Sequence, residues 1–180
     1  DSGYSHNQAM IVNGESGAGK TFSSTLMVKY LCHVADGDDS GLAERIKNSI
    51  PLLEAAGNSR TAMNDNSSRF GKFLMIHYDH EGSMQGAQIE DFMLEKSRVT
   101  SVDGVERNFH IFFQMIAGLE SPERELCQLS EPQDFHYLNT GSLNIPNVDD
   151  NEEWLTTLDS AANLDFDEVE MGPLINTFAG

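Results

Sequence analysis

At 180 residues, with 39% hydrophobic and 22% charged side chains, the chain can bury a core of its own, and its composition is not that of a disordered segment. Eleven Lys and Arg stand against 29 Asp and Glu, a net charge of −18. Such a field repels nucleic-acid backbones and anionic membranes, so general nucleic-acid binding is excluded as an expectation, and any anionic ligand must be gripped by local donors.

In chain order, Ala9 to Val12 is a short apolar run that leads into a glycine-rich loop, and it predicts a buried strand. Beyond Thr21, Phe22, Leu26, Tyr30, Leu31 and Val34 recur at helical spacing. The helix is expected to end before Asp36-Gly37-Asp38-Asp39-Ser40-Gly41, an acidic surface loop. Leu42, Ile46 and Ile50 restart a helical stripe, which Pro51 either disturbs or divides and Gly57-Asn58 closes. Phe73 to Tyr78 has strand length, His80-Glu81-Gly82-Ser83 supplies a turn, and Met84 to Leu94 returns as the second strand of a hairpin. Phe109, Phe112, Phe113, Ile116 and Leu119 make a strong helical face. From about Ser121 the pattern is helical and loop-rich, with Asp149, Asp150, Glu152 and Glu153 expected to form a solvated acidic face rather than a metal site. No internal repeat or low-complexity tract interrupts the chain.

No apolar run approaches the roughly 20 residues of a membrane span, and no basic segment followed by an apolar one marks a secretory leader. Cys32 and Cys127 lie far apart in no metal-like or redox-like spacing, so two reduced thiols in a soluble intracellular protein are expected. A chain running from Asp1 to Phe178-Ala179-Gly180 reads as a fragment.

Two motifs carry chemistry. Gly14-Glu15-Ser16-Gly17-Ala18-Gly19-Lys20-Thr21 has the pattern G-x-x-x-x-G-K-[ST]. Its glycines let successive backbone N–H groups turn inward onto phosphate oxygens, and the following helix adds its positive N-terminal end. Lys20 is expected to reach the β and γ phosphates of a nucleoside triphosphate, and the Thr21 hydroxyl to coordinate magnesium. The second motif, Asn64-Asp65-Asn66-Ser67-Ser68-Arg69-Phe70-Gly71-Lys72, reads as a polar loop, able to close over a γ-phosphate or to be an ordinary surface turn. An apolar strand ending in Asp79 imitates a Walker B carboxylate, and His77 with His80 imitates a metal pair, yet a plain hairpin explains all three.

Both motifs resemble the myosin motor domain. GESGAGKT matches the myosin phosphate loop at every position, and NDNSSRFGK is similar to switch I. The likeness continues through Leu94-Glu95-Lys96-Ser97-Arg98-Val99 and Glu106-Arg107-Asn108-Phe109-His110-Ile111-Phe112, then more weakly at Phe135 to Asn139 and Val148 to Asp150. The resemblance implies an α/β fold: a P-loop NTPase core with a partial mixed sheet flanked by helices over residues 1–100, and a mainly helical upper portion over 101–180. It implies that Gly14 to Thr21, with Asn64, Ser67 and Ser68, bind ATP or ADP, and that Thr21 and Ser68 hold Mg2+. Lys20, Ser67 and Arg69 would serve hydrolysis, with Ser67 beside the γ-phosphate and Arg69 paired to a switch II glutamate. The implied parent protein is a cytoplasmic, cytoskeleton-associated ATPase moving on actin filaments.

The chain also departs from that pattern. No DxxGFE-like switch II occurs, so the partner implied for Arg69 and its central strand are missing, and the main actin-binding elements, converter and lever lie outside these residues. Met63 replaces an arginine common before switch I, and Phe22 replaces a polar residue after Thr21. Efficient turnover by these residues alone is therefore not expected. The alternatives are a degenerate, non-catalytic module of the same fold, or another P-loop NTPase or kinase.

Overall fold

Four strands and six α-helices form among residues 7–15, 17–35 and 41–180, the part of the chain that the computed structural model describes. Ser16 and the acidic stretch Asp36 to Ser40, expected as a surface loop, lie outside the described residues. The chain divides into two units, residues 1–47 with 72–90, and residues 48–71 with 91–180.

In the first unit, Gly19 is left-handed (φ 83°) and starts α1, Lys20–Val34. The expected helix forms, but its apolar residues stay open, with Phe22, Leu26, Tyr30 and Val34 all about half exposed or more. The buried strand expected at Ala9 to Val12 does not form; these residues are unpaired and Ile11 is 89% exposed. A strand exists only through its neighbours, and the four strands described pair among themselves as two separate two-stranded sheets, β1 with β2 and β3 with β4. The mixed sheet implied by the resemblance is corrected accordingly, whereas the helical C-terminal part is as expected.

The expected hairpin forms from β3, Gly71–Tyr78, and β4, Met84–Phe92. Asp79 organises its turn: Oδ1 accepts from the Glu81 and Ser83 amides, each at 2.9 Å, and Oδ2 accepts from Gln85 Nε2 at 3.0 Å. Backbone hydrogen bonds, that of Ser83 foremost, hold its carboxyl below the usual range. This is turn chemistry rather than a Walker B role. Helix α2, Leu42–Gly57, runs through Pro51 without ending, although proline cannot donate to the Lys47 carbonyl.

In the second unit α2 leads directly into β1, Asn58–Thr61, which pairs antiparallel with β2, Asn64–Ser68, placing Ser59 opposite Ser67 and Asn58 opposite Ser68. Most of the segment read as a polar loop is therefore strand. The sequence Asn-Ser-Arg-Thr of β1 shows no apolar alternation because its buried groups are polar, with Asn58 and Ser59 almost completely enclosed. Backbone pairing rather than hydrophobic patterning builds this sheet.

The apolar helix α3, His110–Gly118, lies at the centre of the second unit. Ile111, Met115, Leu119 and the preceding Phe109 pack with Ala55 and Trp154, while Phe113 and Ile116 enclose Leu138. Helix α4 spans Ser121–Leu126. Helix α5, Asp150–Ala162, begins at Asp149, whose side chain accepts from the Asn151 amide at 2.9 Å. A reciprocal capping box between Asp167 and Glu170 starts α6, Glu168–Ala179.

The acidic face expected around residue 150 needs correction at one position. Asp150 is the bidentate partner of the buried Arg107 guanidinium, at 2.7 and 2.9 Å, because a charge with 1% exposure requires a counter-ion. No described helix is long and apolar enough to cross a membrane, and neither cysteine forms a disulfide.

Candidate functional site

The first candidate region is the loop before α1. Gly17 and Gly19 have φ of 80° and 83°, values that a side chain would resist, and they curl the backbone into the helix start. The Ala18 amide donates to the Glu15 carbonyl at 3.2 Å and closes the turn. Lys20 folds back across the loop, its Nζ donating to the Gly14 and Glu15 carbonyls, both at 2.7 Å. A cation is thus fixed over a curled backbone at the positive end of a 15-residue helix, whose first turn holds no acid and whose N-cap makes no side-chain hydrogen bond.

That donor set fits an anion. Glu15, Gly17, Ala18 and Gly19 are exposed, while Lys20 and Thr21 are half-buried. The Thr21 carbonyl accepts from Ser24 Oγ at 2.9 Å.

A second candidate region, Asn64 to Gly71, lies in the second unit. Ser67 is the buried residue of β2, 5% exposed, and the adjacent Ser68 is exposed. Asn64 folds locally: its Oδ1 accepts from the Asn66 amide and its Nδ2 donates to the Asn66 carbonyl, each at 3.1 Å. Asn66 is held in turn by Asn58 Nδ2, which donates to its Oδ1 at 2.8 Å, and by Glu54 Oε2, which accepts from its Nδ2 at 3.1 Å. Arg69 Nη1 donates to Ser67 Oγ at 3.1 Å.

Arg69 is not left without a carboxylate. Its Nε donates to Glu95 Oε2 at 2.6 Å, and the same oxygen accepts from Arg98 Nε at 3.0 Å. Arg98, 5% exposed, also pairs with Glu106 at 2.9 Å. Burial raises the Glu95 pKa, but hydrogen bonds from Arg69 and Arg98 outweigh it and hold the carboxyl below its usual range. Sequence reasoning noticed the stretches containing Glu95, Arg98 and Glu106 and gave them no role. The available signal was a pair of alternating charge clusters, Glu95-Lys96-Ser97-Arg98 and Glu106-Arg107.

Comparison with known proteins gives these two regions a context. The family described as myosin head (motor domain) matches residues 2–180. Myosin-I heavy chain of Dictyostelium discoideum is 45% identical over 149 residues, covering 82% of this chain and 6% of its own length. Myosin-4 of Saccharomyces cerevisiae is 40% identical over 162 residues, covering 86% of this chain and 11% of its own length. Myosin heavy chain IB of Acanthamoeba castellanii is 45% identical over 152 residues, covering 84% of this chain and 13% of its own length. The chain therefore spans only a small part of these curated relatives.

Proposed function

Since the chain belongs to the myosin head (motor domain) family, we propose that it supplies the phosphate-binding part of a cytoskeletal motor that couples Mg-ATP hydrolysis to movement along actin filaments. The observation that carries this reading is the Gly14–Thr21 loop, with Lys20 fixed over the curled backbone at the head of α1. In the proposed assignment Gly14 to Thr21 cradle the α, β and γ phosphates, and Lys20 meets the β and γ oxygens. Asn64 and Ser67 face the γ-phosphate, and Arg69 fixes the segment that bears them. Magnesium, held by the Thr21 and Ser68 hydroxyls, would neutralise charge on the β and γ oxygens. Catalysis of this kind works by positioning and charge stabilisation, so groups contributed by absent segments matter, and these residues alone turn over slowly. The net charge of −18 supports nucleotide rather than nucleic acid as the anionic ligand. A cytoplasmic, actin-associated location follows from the same reading.

Titration with a fluorescent ATP analogue in the presence of magnesium tests it. Lys20→Ala is expected to weaken binding by at least about 100-fold, the loss of a charged contact to two phosphates; unchanged affinity would overturn the assignment. Robust actin-stimulated turnover by these residues alone would contradict the claim of slow hydrolysis.

A second reading, a non-catalytic module, draws on Phe22 and Met63. Both departures from the family pattern are well exposed, at 69% and 79%, so neither is needed for core packing. Magnesium-independent or absent binding of the analogue would favour that module.

A further inference from the structure

We propose that Glu95 is a positioning residue for the terminal-phosphate segment, its carboxylate holding Arg69 against Ser67 so that the segment keeps the shape that distinguishes a triphosphate from a diphosphate. The inference rests on the reading above of Asn64 to Gly71 as the γ-phosphate contact.

The geometry forms a chain of contacts from a buried anchor to the proposed phosphate-facing hydroxyl. Arg98 is the anchor: it is 5% exposed, its Nη2 sits 2.9 Å from Glu106 Oε2, and its Nη1 donates to the Arg107 carbonyl at 3.3 Å. Glu106 is itself tied to the turn after β1, where its Oε1 accepts from the Ala62 amide at 3.3 Å. From this anchor Arg98 Nε reaches Glu95 Oε2, and from the same oxygen Glu95 reaches Arg69 Nε. Arg69 then places Nη1 on Ser67 Oγ.

Two backbone bonds, the Arg69 amide to the Gly57 carbonyl and the Glu95 amide to the Arg69 carbonyl, both 2.9 Å, fix the main chain on either side. What remains to be set is the plane of the Arg69 guanidinium, and a single carboxylate oxygen sets it. The Arg69 and Glu95 side chains are 24% and 33% exposed, so water screens the pair only in part. Without the anion, two guanidinium groups would face one another with no charge between them, and Arg69 would swing away from Ser67.

The test compares, in the intact protein with magnesium, the dissociation constants of a non-hydrolysable ATP analogue and of ADP. Glu95→Gln keeps the side-chain shape and removes the charge. It is expected to lower the preference for triphosphate over diphosphate by about tenfold while leaving ADP affinity, set by the Lys20 loop, near its original value. In an Arg69→Ala background the same change is expected to have no further effect, because Glu95 acts through Arg69. Should Glu95→Gln fail to fold, judged by circular dichroism, Glu95→Asp takes its place with a smaller loss in the same direction.

An unaltered preference in the variant that folds overturns the proposal. So does equal weakening of both nucleotides, the mark of a merely structural role, or full additivity with Arg69→Ala. If Lys20→Ala leaves both nucleotides bound as before, the functional reading itself fails and this inference falls with it. If Lys20→Ala weakens both while Glu95→Gln changes nothing, only the role of Glu95 is lost.

Discussion

Arg107 carries a full charge into the second unit and accounts for its surroundings. Asp150 grips it bidentately, the Phe113 ring lies 4.2 Å beneath its Cζ, and Nη2 donates to His110 Nδ1 at 3.0 Å. An imidazole that accepts from a guanidinium must be neutral, and burial together with the Arg107 charge lowers the His110 pKa from 6.5 to about 3. The unfolded chain therefore binds a proton between pH 6.5 and about 3 that the folded chain refuses. Stability is complete above pH 6.5 and is lost as pH falls through that window, by on the order of a few kcal/mol. His110→Gln, which keeps an acceptor and cannot titrate, is expected to flatten the fall in chemical-denaturation midpoint between pH 7 and pH 4. Parallel curves for the two proteins would contradict this account.

Among the elements, the contact between α3 and α5 shows how little room the second unit has. A Cβ added at Gly118 would fall on the Trp154 ring, and Trp154 is 2% exposed with no space to yield. Gly118→Ala is expected to destabilise by about 1–3 kcal/mol despite the better helix propensity of alanine. Gly172 in α6, where an added Cβ meets nothing within 4 Å, makes the contrast. Gly172→Ala is expected to be neutral or to raise the melting temperature, and an equal loss at both positions would remove the packing argument. Helix α1 lies at the other extreme: it forms over the expected residues and buries none of them. Period 3.6 is a property of the backbone, so α1 and α3 were both legible from their apolar spacing. Strand β1 was not, because Asn58 and Ser59 are buried through pairing with β2, and no apolar alternation announces that.

For the whole molecule, charge and exposed apolar surface oppose each other. Ile11, Phe22 and Tyr30 are 89%, 69% and 65% exposed, while a net charge of −18 keeps copies apart. Salt screens that repulsion and leaves apolar contact intact. The isolated chain is expected to self-associate as its concentration rises, more strongly at about 0.5 M salt than at about 0.05 M. Sedimentation velocity reads this directly, and a single monomer species under both conditions would refute it.

The sequence by itself determined the helix behind the glycine-rich loop, the hairpin, the C-terminal helices and the family, since each rests on local spacing or on contiguous motifs. Tertiary structure decided three matters. The Ala9 to Val12 run is unpaired, because a strand requires partners that no local pattern can provide. Asp150 neutralises a buried arginine 43 residues away rather than facing water. Arg69 lies on Glu95, a partner 26 residues downstream that only the folded chain brings within 2.6 Å. Charge pairing acts through space, and position along the chain does not reveal it.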